Sequence, residues 1–416
     1  MRVLTGLLVL LFMLPKVGIK CVIAVCRRKK IHIYSSEYLG LGMKQIQHRT
    51  VMIDDCALSD FDSWLHYIKG HLDFIGPEKL SMKKSLLLTA AQRRRFDVAP
   101  GIVSPYKIKL ASGIAHKTEY DVASDFVAGA SRSRRFQLAL IWAVQSLVGS
   151  SRQKAAALPT FNLFGVTLNN VTMAVAVKNV MSSLEQRGMS KNVSKFAFVN
   201  ADCGNNFFND DSYKHILNSF DQVYPDGVGV KIAARMQGCS LKENVNGTDM
   251  FPLLCEQLQA KGKSLYLHGA TDAVLRKLVK SLGVSYPRLK ISGYSDGYSY
   301  ASRPEELQSH INNSEADILL VALGAPRQER WINDNSSKLS VAAVIGVGGL
   351  FDFYSGEVSR APEWLRELSM EWVWRLLQQP KEKLSRYLVG NPLFLARAVS
   401  ESLSNKADAS SARAAI

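Results

Sequence analysis

In the stretch YPDGVGV (224–230) one carboxylate, Asp226, lies between a proline and a glycine, ahead of an apolar run. Asp-Gly is a common turn dipeptide, so a hairpin is one reading. A catalytic base at the mouth of a nucleotide-binding sheet is the other. ADILLVALGAPRQERWI (316–332) ends an apolar strand in Gly324, Ala325 and Pro326, then opens a helix with Arg327, Gln328, Glu329 and Arg330. Two arginines in a first turn oppose the helix dipole, which favours acidic groups there. An anion at the turn would reconcile them. IGVGGLFDFYSGEVSRAPEWL (345–365) repeats the pattern, with Gly348 and Gly349 permitting close backbone approach and with Asp352 and Arg360 following. The chemistry these residues suit is deprotonation of an attacking hydroxyl by Asp226. Arg235, Arg327, Arg360 and helix N-termini would meet the charge on a leaving anion.

Other chemistries fit less well. YLHGATDAV (266–274) puts Gly269 at a strand-to-helix turn, but it lacks the full G-x-G-x-x-G dinucleotide fingerprint. A tight turn without a ligand explains it as well as a phosphate does. The D-x-D string Asp60-Phe61-Asp62 opens an amphipathic helix far from the strand-end motifs, so no metal site is expected. The six cysteines form no C-x-x-C, and the histidines lack ligand spacing; His66 and His71, the nearest pair, do not share a helix face.

The elements that must hold these residues begin after Leu158. Apolar runs (FNLFGVTL, KFAFVNA, GVGVKIAA, KSLYLHGA, ADILLVALG and VAAVIGVGG) read as strands, each followed by helix-compatible sequence. That alternation predicts βαβ units and a mostly parallel, Rossmann-like sheet, whose ligands bind beyond the carboxyl ends of the strands. MEWVWRLLQQPKEKLSRYL (370–388) sets Trp372 and Trp374 among Arg375, Lys381, Lys383 and Arg386. It reads as a helical appendage at a membrane interface, with burial of the tryptophans as the competing reading. The small, polar residues 401–416 read as a disordered tail.

The chain is basic, with 52 Lys and Arg against 36 Asp and Glu. An anionic partner or surface is therefore expected. Apolar content of 47% is that of globular domains. Residues 3–26 are almost wholly apolar but carry Pro15, Lys16 and Lys20, and RRKK (27–30) follows. With no small-residue cleavage site and with charge in its middle, 1–30 reads as a membrane anchor, re-entrant rather than spanning. Its basic flank would lie at the cytoplasmic surface. Residues 31–155 are irregular and read as mainly helical, ending in a basic helix within 132–157 that would lie along a membrane.

Residues 160 to about 390 resemble the WecG/TagA/CpsF family, glycosyltransferase family 26. The matching blocks are PDGVGV, NGTDMF, ADILLVALGAPRQERWI, GVGGLFDFYSGEVSRAPEW and EWVWRLLQQPKEKLSRYL, in this order. The resemblance implies an inverting, metal-independent and cofactor-free transfer from a UDP-sugar to a polyprenyl-diphosphate-linked saccharide. This would occur at the cytoplasmic face of the bacterial plasma membrane, in exopolysaccharide or related glycan assembly. It implies Asp226 as general base, with Arg235 and Asn200. Gly269, Thr248, Asp249, Arg327, Gln328, Glu329, Gly348 and Gly349 would bind the nucleotide-sugar, and Arg360, Arg375 and Arg386 the acceptor diphosphate. Other assembly enzymes are candidate partners; nucleic acid is not. Phe198 departs from the family's usual threonine.

Residues 31–155 resemble the bacterial sugar transferases that load a sugar phosphate onto polyprenyl phosphate. IKGHLDFIGPEKL and RRRFDVAPGIVSPYKIK fall in that family's order. Its L-D-E-L-P segment aligns with LSDFD (58–62), which replaces the catalytic aspartate by Ser59 and the glutamate by Asp60. Serine cannot supply a carboxylate nucleophile. The resemblance implies a dead domain kept as an anchor or lipid platform, in front of a transferase domain (156–365) and the appendage (366–400). A non-catalytic scaffold, both halves degenerate, is the alternative.

Overall fold

The computed structural model describes residues 31–414 except 54–55, 60, 113–117, 130, 149–157, 186–191, 301 and 369. The expected anchor at 1–30 lies outside the described residues. Among the described residues no helix is long and apolar enough to cross a membrane. The chain forms two compact units that divide between Ser150 and Ser151.

The first unit is not simply helical. Strands β1 (Ile31–Leu39), β2 (Gln45–Ile53) and β3 (Cys56–Ser59) make an antiparallel sheet, and β4 (Asp73–Ile75) pairs in parallel with β5 (Gly101–Val103). The physical reason is visible in IHIYSSEYL and QIQHRTVMI, where β-branched and aromatic residues suit a pleated surface. Helices follow at Phe61–Ile68, Pro105–Ser112, Glu119–Ala128 and Arg132–Val148. In the last of these Leu138 and Ile141 are buried, while Phe136 and Leu140 face solvent.

The second unit opens with a hairpin, β6 (Thr160–Leu163) and β7 (Val166–Asn169), so FNLFGVTL is two strands rather than one. Six parallel strands follow: β8 (Ser194–Val199), β9 (Gln222–Pro225), β10 (Ser264–Gly269), β11 (Lys290–Ser295), β12 (Ile318–Ala322) and β13 (Ala343–Gly346). They lie in the order β11-β10-β12-β13-β8-β9. Side chains alternate between two cores, one on each face. On β12, Ile318 and Leu320 enter one apolar cluster, Leu319 and Val321 the other. Burial on both faces explains why β8, β10, β12 and β13 read as unbroken apolar runs, whereas β11, at the sheet edge, is polar and largely exposed (KISGYS).

GVGVKIAA, expected as a strand, is helical: β9 ends at Pro225 and a helix runs Val228–Met236. Its Val-Gly-Val start imitates strand alternation. Gly227, at φ +89°, turns the chain directly from strand into helix.

The carboxyl-terminal segment, expected as an appendage over 366–400, contributes Phe394 and Ala398 to the core of this unit. Short helices at Glu363–Glu367, Glu371–Gln378 and Pro380–Leu384 lead through a π-helical stretch, Ser385–Gly390, into a helix spanning Asn391–Ala414. The backbone expected to be disordered from 401 is thus helical to Ala414. Its alanine-rich composition is compatible with helix, and its amino-terminal half is fixed by packing. Phe394 and Ala398 are fully buried. A Cβ on Gly204 would sit 2.5 Å from the Phe394 ring, and one on Gly229 3.6 Å from it. Phe394→Ala should destabilise the fold by about 3–5 kcal/mol, measured by urea denaturation; a loss under 1 kcal/mol would mean this helix is peripheral.

Candidate active site

A cleft of about 670 Å³ opens beyond the carboxyl ends of the parallel strands. Every strand-to-helix turn of the sheet reaches it, which is where open α/β sheets bind ligands. Asp226 lines it directly after β9. The Asp226 backbone N–H donates to the Val199 carbonyl at 2.8 Å, and the Gly227 N–H to Asn244 Oδ1 at 2.6 Å. The backbone that bears the carboxylate is therefore fixed at the bend, and the Asp-Gly pair is a strand-to-helix turn, not a hairpin.

Burial pushes the Asp226 carboxyl up to about 7, reinforced by the Glu371 and Asp249 carboxylates and opposed by Arg375 and Arg386. A carboxyl titrating there is matched to general-base work near neutral pH. Asn200 also lines the cleft, and its Oδ1 caps the Ala201–Asn209 helix by accepting from the N–H groups of Asp202 (3.0 Å) and Cys203 (3.2 Å).

The cations come from two directions. Arg327 is exposed on the rim, at the start of the Arg327–Asn335 helix. Arg375, Lys383 and Arg386 enter from the carboxyl-terminal segment. Arg375 lies over the Phe353 ring at 4.5 Å, and its buried Nε has no hydrogen-bond partner. Arg386 stands 3.4 Å from the Asp202 carboxylate. Gly348, at φ +56°, and Gly349 form the adjoining wall; a Cβ at Gly349 would sit 2.9 Å from Arg375 Nη2. Thr248 completes this side from the first turn of the Gly247–Lys261 helix.

Other expected site residues lie off the cleft or are largely buried at its floor. Arg235 is exposed in the last turn of its helix and does not line the cleft. At 1.5 Å per residue, seven residues carry it about 10 Å from the helix start that faces the site. Asp249 and Arg360 form an ion pair beside the cleft, and Asn246 Nδ2 also donates to Asp249, at 2.8 Å. Gly269, at φ +120°, serves chain packing: a Cβ there would come within 2.4 Å of the Ala322 carbonyl oxygen. Gln328 lines the cleft floor but is 96% buried, and Glu329 is wholly buried beneath it, where burial raises its carboxyl. In the first unit, Ser59 ends β3 opposite Val51, and Asp60 lies outside the described residues.

Sequence reasoning missed Glu371, Lys383, Asp202 and the exposed Tyr298 as parts of this neighbourhood. Glu371 and Arg375 are four apart on one helix, a spacing that puts them on one face. That was the available signal. Trp372 and Trp374 turn towards the protein: Trp372 packs against Tyr387 (5.8 Å between centroids), and Trp374 Nε1 donates to the Ser359 carbonyl at 3.1 Å. Among the described residues, no group of three or more His, Cys, Asp or Glu is placed to hold a metal ion.

The model of the glycosyl transferase WecG/TagA/CpsF family matches residues 161–408. The chain belongs to this family. Two relatives carry the name N-acetylglucosaminyldiphosphoundecaprenol N-acetyl-beta-D-mannosaminyltransferase. The Bacillus subtilis protein is 36% identical over 171 residues, 41% of this chain and 66% of its own length. The Bacillus spizizenii protein is 33% identical over 201 residues, 48% of this chain and 77% of its own length. The family match begins in β6 and extends into the carboxyl-terminal helix, so this glycosyl transferase's cleft and its basic wall both fall inside it. Residues 1–160 lie outside it, and the sugar-transferase resemblance of that half has no support from these comparisons.

The raised Asp226 carboxyl has a stability consequence. An unfolded aspartate titrates near 3.9 and the folded one near 7. The folded state holds the extra proton between those values. The stability Asp226 contributes is thus present below about pH 4 and lost as pH rises through 7. Asp226→Asn should stabilise the protein more at pH 8 than at pH 5, the gap widening by roughly 1–3 kcal/mol in denaturation curves. A pH-independent effect would place the carboxylate in an unperturbed environment.

Proposed function

We propose that this glycosyl transferase moves a sugar from a UDP-sugar to a polyprenyl-diphosphate-linked saccharide, with inversion and without a metal. The observation that carries the reading is the Asp226 carboxyl, raised to about 7 at the bottom of a cleft walled by Arg327, Arg375, Lys383 and Arg386. Asp226 takes the proton of the acceptor hydroxyl as that oxygen attacks the anomeric carbon. The bond to the UDP oxygen breaks on the opposite face, and the guanidinium groups meet the charge that develops on the diphosphate. The activity for which the two Bacillus relatives are named supports the acceptor class. Arg235 has no role in this scheme.

The setting is the cytoplasmic face of the plasma membrane, where such lipid-linked acceptors are presented. Leu377, Leu384, Leu388 and Val389 are 52–69% exposed on the segment that also bears Lys381, Lys383 and Arg386. Apolar side chains beside cations suit an anionic lipid surface. The first half is a degenerate phosphosugar-transferase-like domain, with serine at position 59 where the nucleophile would stand, serving as anchor or lipid platform.

The test is transfer of labelled sugar from a panel of UDP-sugars to polyprenyl-diphosphate-linked N-acetylglucosamine. Asp226→Asn should lower kcat at least 100-fold, and the wild-type rate should rise with pH along a limb near 7 that this variant lacks. Equal rates for both proteins across the panel would remove Asp226 as the base. Arg375→Ala should raise KM for the donor or acceptor about tenfold. With UDP-sugar and polyprenyl phosphate, the protein should release no UMP; release would restore activity to the first half.

A further inference from the structure

Glu329 is a carboxylate with no exposure at all, immediately beneath the cleft floor. Taking a carboxylate out of water costs several kcal/mol unless hydrogen bonds compensate. Its Oε1 accepts from Gln328 Nε2 at 2.7 Å, and its Oε2 from the Tyr213 hydroxyl at 3.2 Å. The other end of the Gln328 amide, Oε1, accepts from the Gly348 N–H at 2.9 Å. The amide is also packed against the end of β13, where a Cβ on Gly346 would come within 3.0 Å of Gln328 Nε2.

A glutamine amide is nearly symmetric in shape and can present either its oxygen or its NH2 to a neighbour. Only the oxygen can receive the Gly348 N–H; the NH2 would face it donor to donor. Both Glu329 oxygens accept in this arrangement, one from the amide NH2 and one from the Tyr213 hydroxyl, so the carboxyl at one end of the amide is met by the NH2 and the oxygen points to Gly348. Gly348 stands in the left-handed region, and Gly349 after it abuts Arg375 Nη2.

We propose that Glu329 is a positioning residue: it fixes the Gln328 amide in one orientation and thereby holds the Gly346–Gly349 loop in the shape that receives the donor. Tyr213 anchors the carboxylate from behind. The consequence for UDP rests on the function proposed above; the effect on the loop does not.

Hydrogen exchange by mass spectrometry, read on peptides covering 346–352, separates the two. Glu329→Leu removes the acceptor and should speed exchange there at least tenfold while strands β8 and β10 keep their protection. UDP affinity, by calorimetry, should fall about tenfold. Glu329→Gln, which offers an NH2 as well as an oxygen to the Gln328 amide and keeps the shape, should fall between Glu329→Leu and wild type. The exchanged pair Gln328→Glu with Glu329→Gln again places a carboxylate oxygen opposite Gly348 and an NH2 donor behind it, so it should restore slow exchange. Should Glu329→Leu fail to fold, the Glu329→Gln variant and the exchanged pair still decide the matter. Unchanged exchange at 346–352, acceleration spread evenly over the unit, or no restoration by the exchanged pair would overturn the proposal. Expected exchange behaviour in a protein that binds no UDP would leave the positioning role standing and defeat the donor assignment instead.

Discussion

The Phe394 ring lies against Gly204 and Gly229, two glycines on the helices that follow β8 and β9. A side chain at Gly204 would occupy the space the ring needs. Through this contact the carboxyl-terminal segment is seated on the same edge of the sheet that carries Asn200 and Asp226. Arg375, Lys383, Arg386 and Glu371 all belong to that segment. The cleft's basic wall and the second carboxylate facing the base therefore depend on an apolar contact that touches no substrate.

Around Asp226 the charges nearly balance. Asp249 and Glu371 face Arg360, Arg375 and Arg386, with the Asp249–Arg360 ion pair beside the cleft. Burial also pushes the Glu371 carboxyl up. Desolvation is what leaves the Asp226 carboxyl titrating near neutrality, because the arginines offset the neighbouring carboxylates without returning the lost water. A leaving diphosphate would meet Arg375 and Arg386, whose buried Nε atoms make no hydrogen bond. Groups already oriented towards developing charge need no reorganisation when it appears.

Residues of one motif divide between contact and support. In GAPRQER, Arg327 stands at the rim, Gln328 braces the glycine loop and Glu329 lies below. Arg330 turns away to pair with Asp210. A helical turn distributes consecutive residues around its circumference, so a contiguous motif cannot place all its members in one cleft. Arg235 stays off the cleft for a different reason: two turns along its helix it returns to the same face, but about 10 Å further from the helix start that meets the site.

The sequence by itself determined the parallel-sheet class of the second unit, because strands buried on both faces must be continuously apolar and must alternate with helices. It also singled out Asp226 as a carboxylate at a bend within that sheet; that the bend turns a strand into a helix came from the structure. Local pattern misread GVGVKIAA, whose alternating valines fit either period until Gly227 fixes the direction of the chain. It missed the strands IHIYSSEYL and QIQHRTVMI, where polar residues interrupt the apolar alternation. Only the tertiary structure decided that Glu371 faces Asp226, that Arg235 does not, and that Glu329 acts from beneath the cleft. Each of these depends on the distance between residues far apart in the chain, which packing sets and no local spacing encodes.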